Sequence, residues 1–415
     1  MATTCAARII SRSGIVFLGT VFLGTVFLGT VFLGTTSGSG ILGKRLGVQA
    51  TRRHWLVLIA TLVTWTCRAA NSEELPLLRP KALERGDTVM FVAPAGPLDQ
   101  QRVELAAQRL REMGLNVIIP ATAYRADGYL AGADGHRAAE LMSAFERDDV
   151  QAVFPGTGGY GSMRILDALD FAKIRQHPKV FVGFSDITAL HIAIHQRTGL
   201  VTFHSPNPMW GLGSDTNLSP LSAHWFWRAI HRNAYRPPHG RPAEGYLISA
   251  TLPTTNLAQL SGDSRQLDCG AHPPITLVGG RARGELTGGN LSLVAATMGT
   301  PYEIDTMGKL LFLEDVGEAP YRVDRMLQTL QLAGKLKQAA GIVLGQFTRR
   351  DDEPLDQYTT TMEEVLTGHC KGLGIPVVMN FPVGHDPCNI TLPVGIPAEL
   401  DADGLTIRLL ACPTR

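Results

Sequence analysis

The chain has 415 residues, 45% of them hydrophobic and 18% charged, with a formal net charge of +1. Such a length accommodates two domains with sizeable cores. The balanced charge, with no basic stripe interleaved with aromatics, excludes nucleic acid from the expected partners. The six cysteines, Cys5, Cys67, Cys269, Cys370, Cys388 and Cys412, form no CxxC, and the twelve histidines form no HExxH. Neither a zinc site, nor a disulfide framework, nor any metal or other cofactor is therefore expected.

The N-terminus does not read as fold. Residues 16–35 repeat VFLGT four times, a five-residue period that fits neither helix nor strand. Arg52-Arg53-His54, an apolar run from Trp55 to Trp65 and Cys67-Arg68-Ala69-Ala70 then follow the pattern of a secretory signal. The run is short for a membrane span of about 20 residues. Export is expected, with a cytoplasmic location as the alternative, and no stable membrane insertion once the signal is removed. The expected division is a leader at 1–70, an α/β domain at 71–235, a linker or excursion at 236–274 and a second α/β domain at 275–415.

From Gly86 the elements alternate. Thr88–Ala93 reads as a strand, Val103–Met113 as a helix, Asn116–Ile119 as a strand and Arg137–Arg147 as a helix. Val150–Phe154 is the next strand, Ser162–Phe171 the next helix, and Lys179–Val182 a fourth strand. Strands alternating with helices predict a doubly wound parallel sheet with ligands at the carboxyl ends of its strands. Ala234–Pro274 is rich in Pro, Gly, Ser and Thr. Beyond it come a strand at 283–286, a Gly288-Gly289-Asn290 turn and a helix at 291–298. A strand at 309–313, a helix at 321–333, a strand at 340–345, a helix at 362–366, a strand at 376–379 and a closing hairpin-like region complete the second domain.

Gly183-Phe184-Ser185-Asp186-Ile187 joins the fourth strand to a helical segment. A serine on such a turn is either an N-cap or a hydroxyl lifted out of the sheet as a nucleophile. A serine nucleophile needs a base, and the base an orienting acid. Glu314, just past the strand ending at Leu313, and His385, in Phe381-Pro382-Val383-Gly384-His385, suit those roles. With Ser185 they give the chain order nucleophile, acid, base. Gly156-Thr157-Gly158-Gly159-Tyr160-Gly161 also fits GxGxxG, the basis of a nucleotide-binding oxidoreductase reading. It follows the third strand rather than the first, and Pro155 precedes it. The preferred use of Gly158 and Gly159 is to supply backbone N–H groups that join that of Asp186 in an oxyanion hole.

These segments resemble the LD-carboxypeptidase family of serine peptidases, which includes muramoyltetrapeptide carboxypeptidases and the microcin C immunity peptidase. The matching stretches are Val92–Pro97, Gly128–Gly132, Gly158–Gly161, Pro178–Leu190, Gly288–Leu291, Gly299–Pro301, Leu313–Asp315, Tyr321–Met326 and Gly384-His385. The resemblance implies a hydrolase that trims murein tetrapeptides by releasing terminal D-alanine from the L-centre of a diamino acid. Ser185, Glu314 and His385 would be its catalytic residues. It also implies a homodimer, and leaves a peptidase acting on a peptide-nucleotide antibiotic as the alternative. Thr157 stands where many members carry Arg, and the 234–274 stretch looks longer than usual.

Overall fold

A computed structural model describes residues 75–215, 218–231, 246–249, 273–348 and 359–415. The repeat, the expected signal and most of the 236–274 segment lie outside the described residues. Residues Leu75–Arg415 form one compact unit. Among the described residues no helix is long and apolar enough to cross a membrane.

The first half alternates as expected: β1 (Thr88–Val92), α1 (Gln100–Glu112), β2 (Asn116–Ile118), α2 (Asp134–Glu146), β3 (Ala152–Pro155), α3 (Phe171–Gln176), β4 (Val180–Gly183), α4 (Thr188–Thr198) and β5 (Thr202–His204). α5 (Pro220–Ile230) closes this half. β3 and β4 are buried throughout, as strands covered on both faces must be, which is why they read as unbroken apolar runs. Asp99 caps α1 by accepting from the Arg102 N–H, and Asp170 caps α3 through the Lys173 N–H. Of the helix expected over Ser162–Phe171, Ser162–Ala168 is a 3-10 helix, and α3 begins only at Phe171, where the expected helix was to end.

The second half contains β6 (Leu247–Ser249), β7 (Ile275–Val278), β8 (Arg281–Asn290), α6 (Leu291–Ala296), β9 (Leu310–Val316), α7 (Pro320–Leu332), α8 (Lys335–Gln338), β10 (Gly341–Thr348), α9 (Met362–Cys370), β11 (Val377–Met379), β12 (Leu392–Val394), β13 (Pro397–Asp401) and β14 (Thr406–Leu409). Three expectations need correction. Gly288-Gly289-Asn290 is the end of β8, not a turn. The glycines are needed because the strand is pressed on both sides: a Cβ on Gly288 would lie 1.9 Å from the Phe312 carbonyl oxygen, and one on Gly289 2.5 Å from Thr188 Oγ1. Glu314 lies inside β9, not beyond its tip. Part of the supposed linker is β6, an edge strand paired antiparallel with β14.

Two sheets result. The first has the order β12-β5-β4-β3-β1-β2, with β2, β1, β3, β4 and β5 parallel. Its parallel part is a doubly wound array whose strand order reverses between β1 and β3, where such sheets open a crevice at their carboxyl ends. The second has the order β6-β14-β13-β8-β9-β10-β11-β7, with a parallel centre at β8-β9-β10-β11. α4 joins the two. Its Ala189, Leu190, Ala193 and Ile194 pack in one core with β1, β3 and β4 residues, while Ile192 packs with Leu311 and Leu313 of β9. Nine of its eleven residues are buried, so it lacks the polar face of a surface helix.

The C-terminal part also completes the first sheet. β12 pairs antiparallel with β5, with Leu392 opposite His204. Because β5 runs parallel to β4, this places the start of β12, and the loop before it, at the carboxyl end where β4 releases the Ser185 turn.

Candidate active site

Ser185 stands on a sharp elbow. Gly183 ends β4 where a Cβ would meet Ile187 Cγ2 at 2.8 Å, so only glycine lets the chain fold back this tightly. Ser185 itself has φ of +63°, a left-handed conformation that costs a non-glycine residue about 1–3 kcal/mol and clusters at functional sites. It caps nothing: neither the short 3-10 turn Ser185–Ile187 nor α4 has a side-chain cap. The capping alternative is thereby removed. Phe184 and Asp186 on either side are buried, while Ser185 is partly exposed.

The glycine segment after β3 presses against this elbow. A Cβ added to Gly158 would lie 2.9 Å from Ser185 Cβ and 3.1 Å from both Ser185 Oγ and the Asp186 nitrogen. Three contacts hold the segment: Gly96 N–H donates to the Gly158 carbonyl at 3.0 Å, Met209 N–H to the Gly156 carbonyl at 2.9 Å, and Ser162 N–H to Asp186 Oδ2 at 2.8 Å. The buried Arg137 guanidinium ties the carbonyls of Pro94 and Gly161 together. Gly159, at φ +97°, takes a backbone shape that suits glycine. A dinucleotide site needs an α-helix N-terminus after such glycines. Here a 3-10 helix follows, and the turn is spent on the serine elbow. The oxidoreductase reading fails on that point.

The structure brings Glu314 and His385 together. Glu314 Oε2 accepts from His385 Nδ1 at 2.7 Å, with the Glu314 side chain fully buried and that of His385 15% exposed. Two glycines make the space. A Cβ on Gly384 would lie 2.8 Å from Glu314 Oε2, and one on Gly345 would lie 3.0 Å from Glu314 Cβ. Burial disfavours charge on the imidazole, but the Glu314 carboxylate, by charge and hydrogen bond, outweighs it and holds the His385 pKa above its ordinary value. Burial likewise opposes the Glu314 charge, and His385 reverses the balance, keeping the carboxyl below its usual range. The His385 ring lies 4.7 Å, centroid to centroid, from that of Phe184, the residue before Ser185. With Nδ1 committed to the carboxylate, Nε2 is the nitrogen left for proton transfer.

The surroundings contain residues that the sequence left without a role. Asn290, opposite Glu314 in the β8–β9 register, donates from Nδ2 to Asp315 Oδ1 at 3.0 Å. Asp315 also accepts from Ser292 N–H and Oγ–H. Its pKa is pushed up to about 6 by burial and by the neighbouring Glu314 charge. Behind the pair, the fully buried His204 stacks edge-on to Phe184 and Phe312, its pKa pushed down to about 4 chiefly by burial. The sequence signal for Asn290 and Asp315 lay in the Gly-Gly-Asn and Leu-Glu-Asp segments; a lone histidine at 204 carried none. Among the described residues no cluster of His, Cys, Asp or Glu is arranged to hold a metal. Cys370 and Cys412 are free thiols.

Fold and site define an α/β enzyme that presents an elbow serine near a partly exposed histidine held by a buried glutamate. Residues 89–205 match the LD-carboxypeptidase N-terminal domain and residues 283–400 the LD-carboxypeptidase C-terminal domain. A Bacillus subtilis protein named "Probable murein peptide carboxypeptidase" is 40% identical over 78% of this chain and 91% of its own length. The chain therefore belongs to the LD-carboxypeptidase family. Among solved structures, a muramoyltetrapeptide carboxypeptidase from Oxalobacter formigenes is 29% identical with a TM-score of 0.61, covering 78% of this chain and 97% of the other. The microcin C7 self immunity protein MccF, 24% identical, shares the fold with a TM-score of 0.70 over 81% of this chain and 100% of its own.

Proposed function

We propose that this protein is a serine carboxypeptidase that releases terminal D-alanine from murein tetrapeptides, with Ser185 as nucleophile, His385 as base and Glu314 as the orienting acid. The observation that carries the assignment is the His385–Glu314 hydrogen bond at 2.7 Å, formed next to the ring of Phe184. The relatives named for murein peptides support the substrate.

Ser185 Oγ attacks the carbonyl of the diamino-acid residue while His385 Nε2 takes its proton. Glu314 fixes the imidazole tautomer and stabilises the positive charge that forms. Backbone N–H groups of Gly158, Gly159 and Asp186 receive the oxyanion, and the Asp186 N–H suits this because helix geometry leaves first-turn N–H groups without an intrahelical acceptor. Collapse of the tetrahedral species breaks the C–N bond as His385 returns the proton to the D-alanine amine. Water, deprotonated by His385, then cleaves the acyl ester and restores Ser185.

The antibiotic-detoxifying alternative rests on likeness to MccF, which at 24% identity supports the fold alone. Export rests on the sequence of residues 52–70. Incubation with murein tetrapeptide and quantification of free D-alanine tests the function. Release by the wild type and its loss in Ser185→Ala is the expected result; equal release by both proteins refutes the serine mechanism.

A further inference from the structure

Beside the glycine segment lies a cationic ledge that the chemistry above does not use. Trp210, in the turn Pro208–Leu212, is 57% exposed yet fixed at both ends. Its Nε1–H donates to Thr157 Oγ1 at 3.0 Å and its backbone N–H to Asn207 Oδ1 at 3.0 Å. The Arg102 guanidinium, from the first turn of α1, sits 4.5 Å above the indole centroid. Thr157 directly precedes Gly158, whose backbone abuts Ser185. The ledge is thus tied through one residue to the segment that faces the nucleophile.

The Arg102 charge is not committed to an acid, unlike that of several other arginines in this half of the chain. Arg137 and Arg164 both pair with Asp134, and Arg147 pairs with Asp149. Among the described residues no carboxylate forms an ion pair with Arg102. Of the two acids nearest in sequence, Glu104 accepts from the Tyr124 hydroxyl and Asp99 uses its carboxylate on the Arg102 backbone N–H at 2.8 Å. A guanidinium shelved on an indole has already lost much of its rotamer freedom, so it can bind a carboxylate with little further ordering. Its fork of donors matches the two carboxylate oxygens.

We propose that Arg102, supported by Trp210, receives a carboxylate of the peptide substrate at a distance from the bond that is cut. Gly158, Thr157 and the Trp210 indole intervene between Ser185 and the Arg102 guanidinium, so a peptide must run on the order of 10 Å or more, about three extended residues, to join them. The carboxylate of the departing D-alanine, one residue from the reacting carbonyl, lies too close to the nucleophile to reach the ledge. The ligand group is therefore an acidic side arm or branch further along the peptide. This rests on the peptidase reading above and specifies its substrate class as acidic peptides.

The test uses two peptides with the same D-alanine terminus, one carrying a free carboxylate about three residues from the scissile bond and the other its carboxamide. For the wild type the acid is expected to have a KM about tenfold lower at equal kcat. Arg102→Gln should erase that preference by raising KM for the acid alone, and Arg102→Lys should restore part of it. An undiminished preference in Arg102→Gln, or no preference in the wild type, overturns the proposal. So does a change in sedimentation coefficient that tracks the variant, which would make the ledge a contact between copies of the chain. Calorimetry of both peptides in the Ser185→Ala background separates the two claims. Charge-selective binding by a protein whose parent releases no D-alanine would leave the ledge standing and the D-alanine reading refuted.

Discussion

The Thr188 hydroxyl oxygen accepts a hydrogen bond from the backbone N–H of Asn290 at 2.9 Å, with both residues buried. Thr188 lies three residues past the elbow serine, and Asn290 faces Glu314 across the β8–β9 ladder. One contact therefore ties the start of the helix after Ser185 to the strand pair that holds Glu314. Thr188→Val keeps the shape but leaves a buried N–H without its acceptor, at a cost of about 1–3 kcal/mol. Chemical denaturation should show that loss, and kcat should fall with KM little changed. A variant as stable and as active as the wild type would mean the two sheets are held in register by other contacts.

Glu314→Gln should lower kcat on the order of 10³-fold or more, because an amide can present the wrong hydrogen-bond partner to Nδ1. The pH profile gives the sharper reading. His385 must be neutral to act as base, so kcat/KM rises with pH through its pKa, which the Glu314 carboxylate holds high against the effect of burial. With the carboxylate gone, burial remains, and the acidic limb should move to lower pH while the plateau drops. An unmoved limb would dissociate Glu314 from the titrating base.

Gly158→Ala tests the tight approach of the glycine segment. Its methyl would start 2.9 Å from Ser185 Cβ, closer than real Cβ contacts allow, so either the elbow or the segment must shift. Displacement of oxyanion donors typically costs 10²–10³-fold in kcat, about the size expected here. Thermal unfolding should change much less than activity; a fully active variant would remove Gly158 from the oxyanion assignment.

Asp186→Asn keeps the size of the side chain and removes its charge. The carboxylate accepts the Ser162 N–H and so anchors the far end of the glycine segment to the elbow. Burial pushes the Asp186 pKa up, against the Ser162 bonds, other backbone contacts and the Arg137 charge. Because the group lies behind the serine, kcat is expected to fall by about 10-fold, the order assigned to a loss of about 1.4 kcal/mol in transition-state binding, with KM nearly constant. A rise in KM at constant kcat would place Asp186 in substrate binding instead.

Much of this was legible in the chain itself. β3 and β4 are unbroken apolar runs because both of their faces are covered. The Gly-Phe-Ser-Asp elbow is also local, since one tight turn between a strand and a helix dictates both the glycine and the exposed serine. Gly288 and Gly289 misled because glycine signals a turn by its own conformational freedom, whereas here it answers to the Phe312 carbonyl and Thr188 pressing from outside the strand. Glu314 seemed a strand-tip acid for a similar reason: nothing in Leu313-Glu314-Asp315 reveals that His385, 71 positions later, supplies the hydrogen bond that makes its burial tolerable.

The amino-acid order by itself determined the strands, the elbow and the kinds of side chain available for the reaction, because those depend on neighbours within a few residues. Only the tertiary structure decided that they meet. The antiparallel return of β12 alongside β5 carries the His385 loop back to the carboxyl ends of the first sheet. Pairing between strands almost 190 positions apart is fixed by burial and ladder hydrogen bonds throughout the folded chain, which no local pattern encodes.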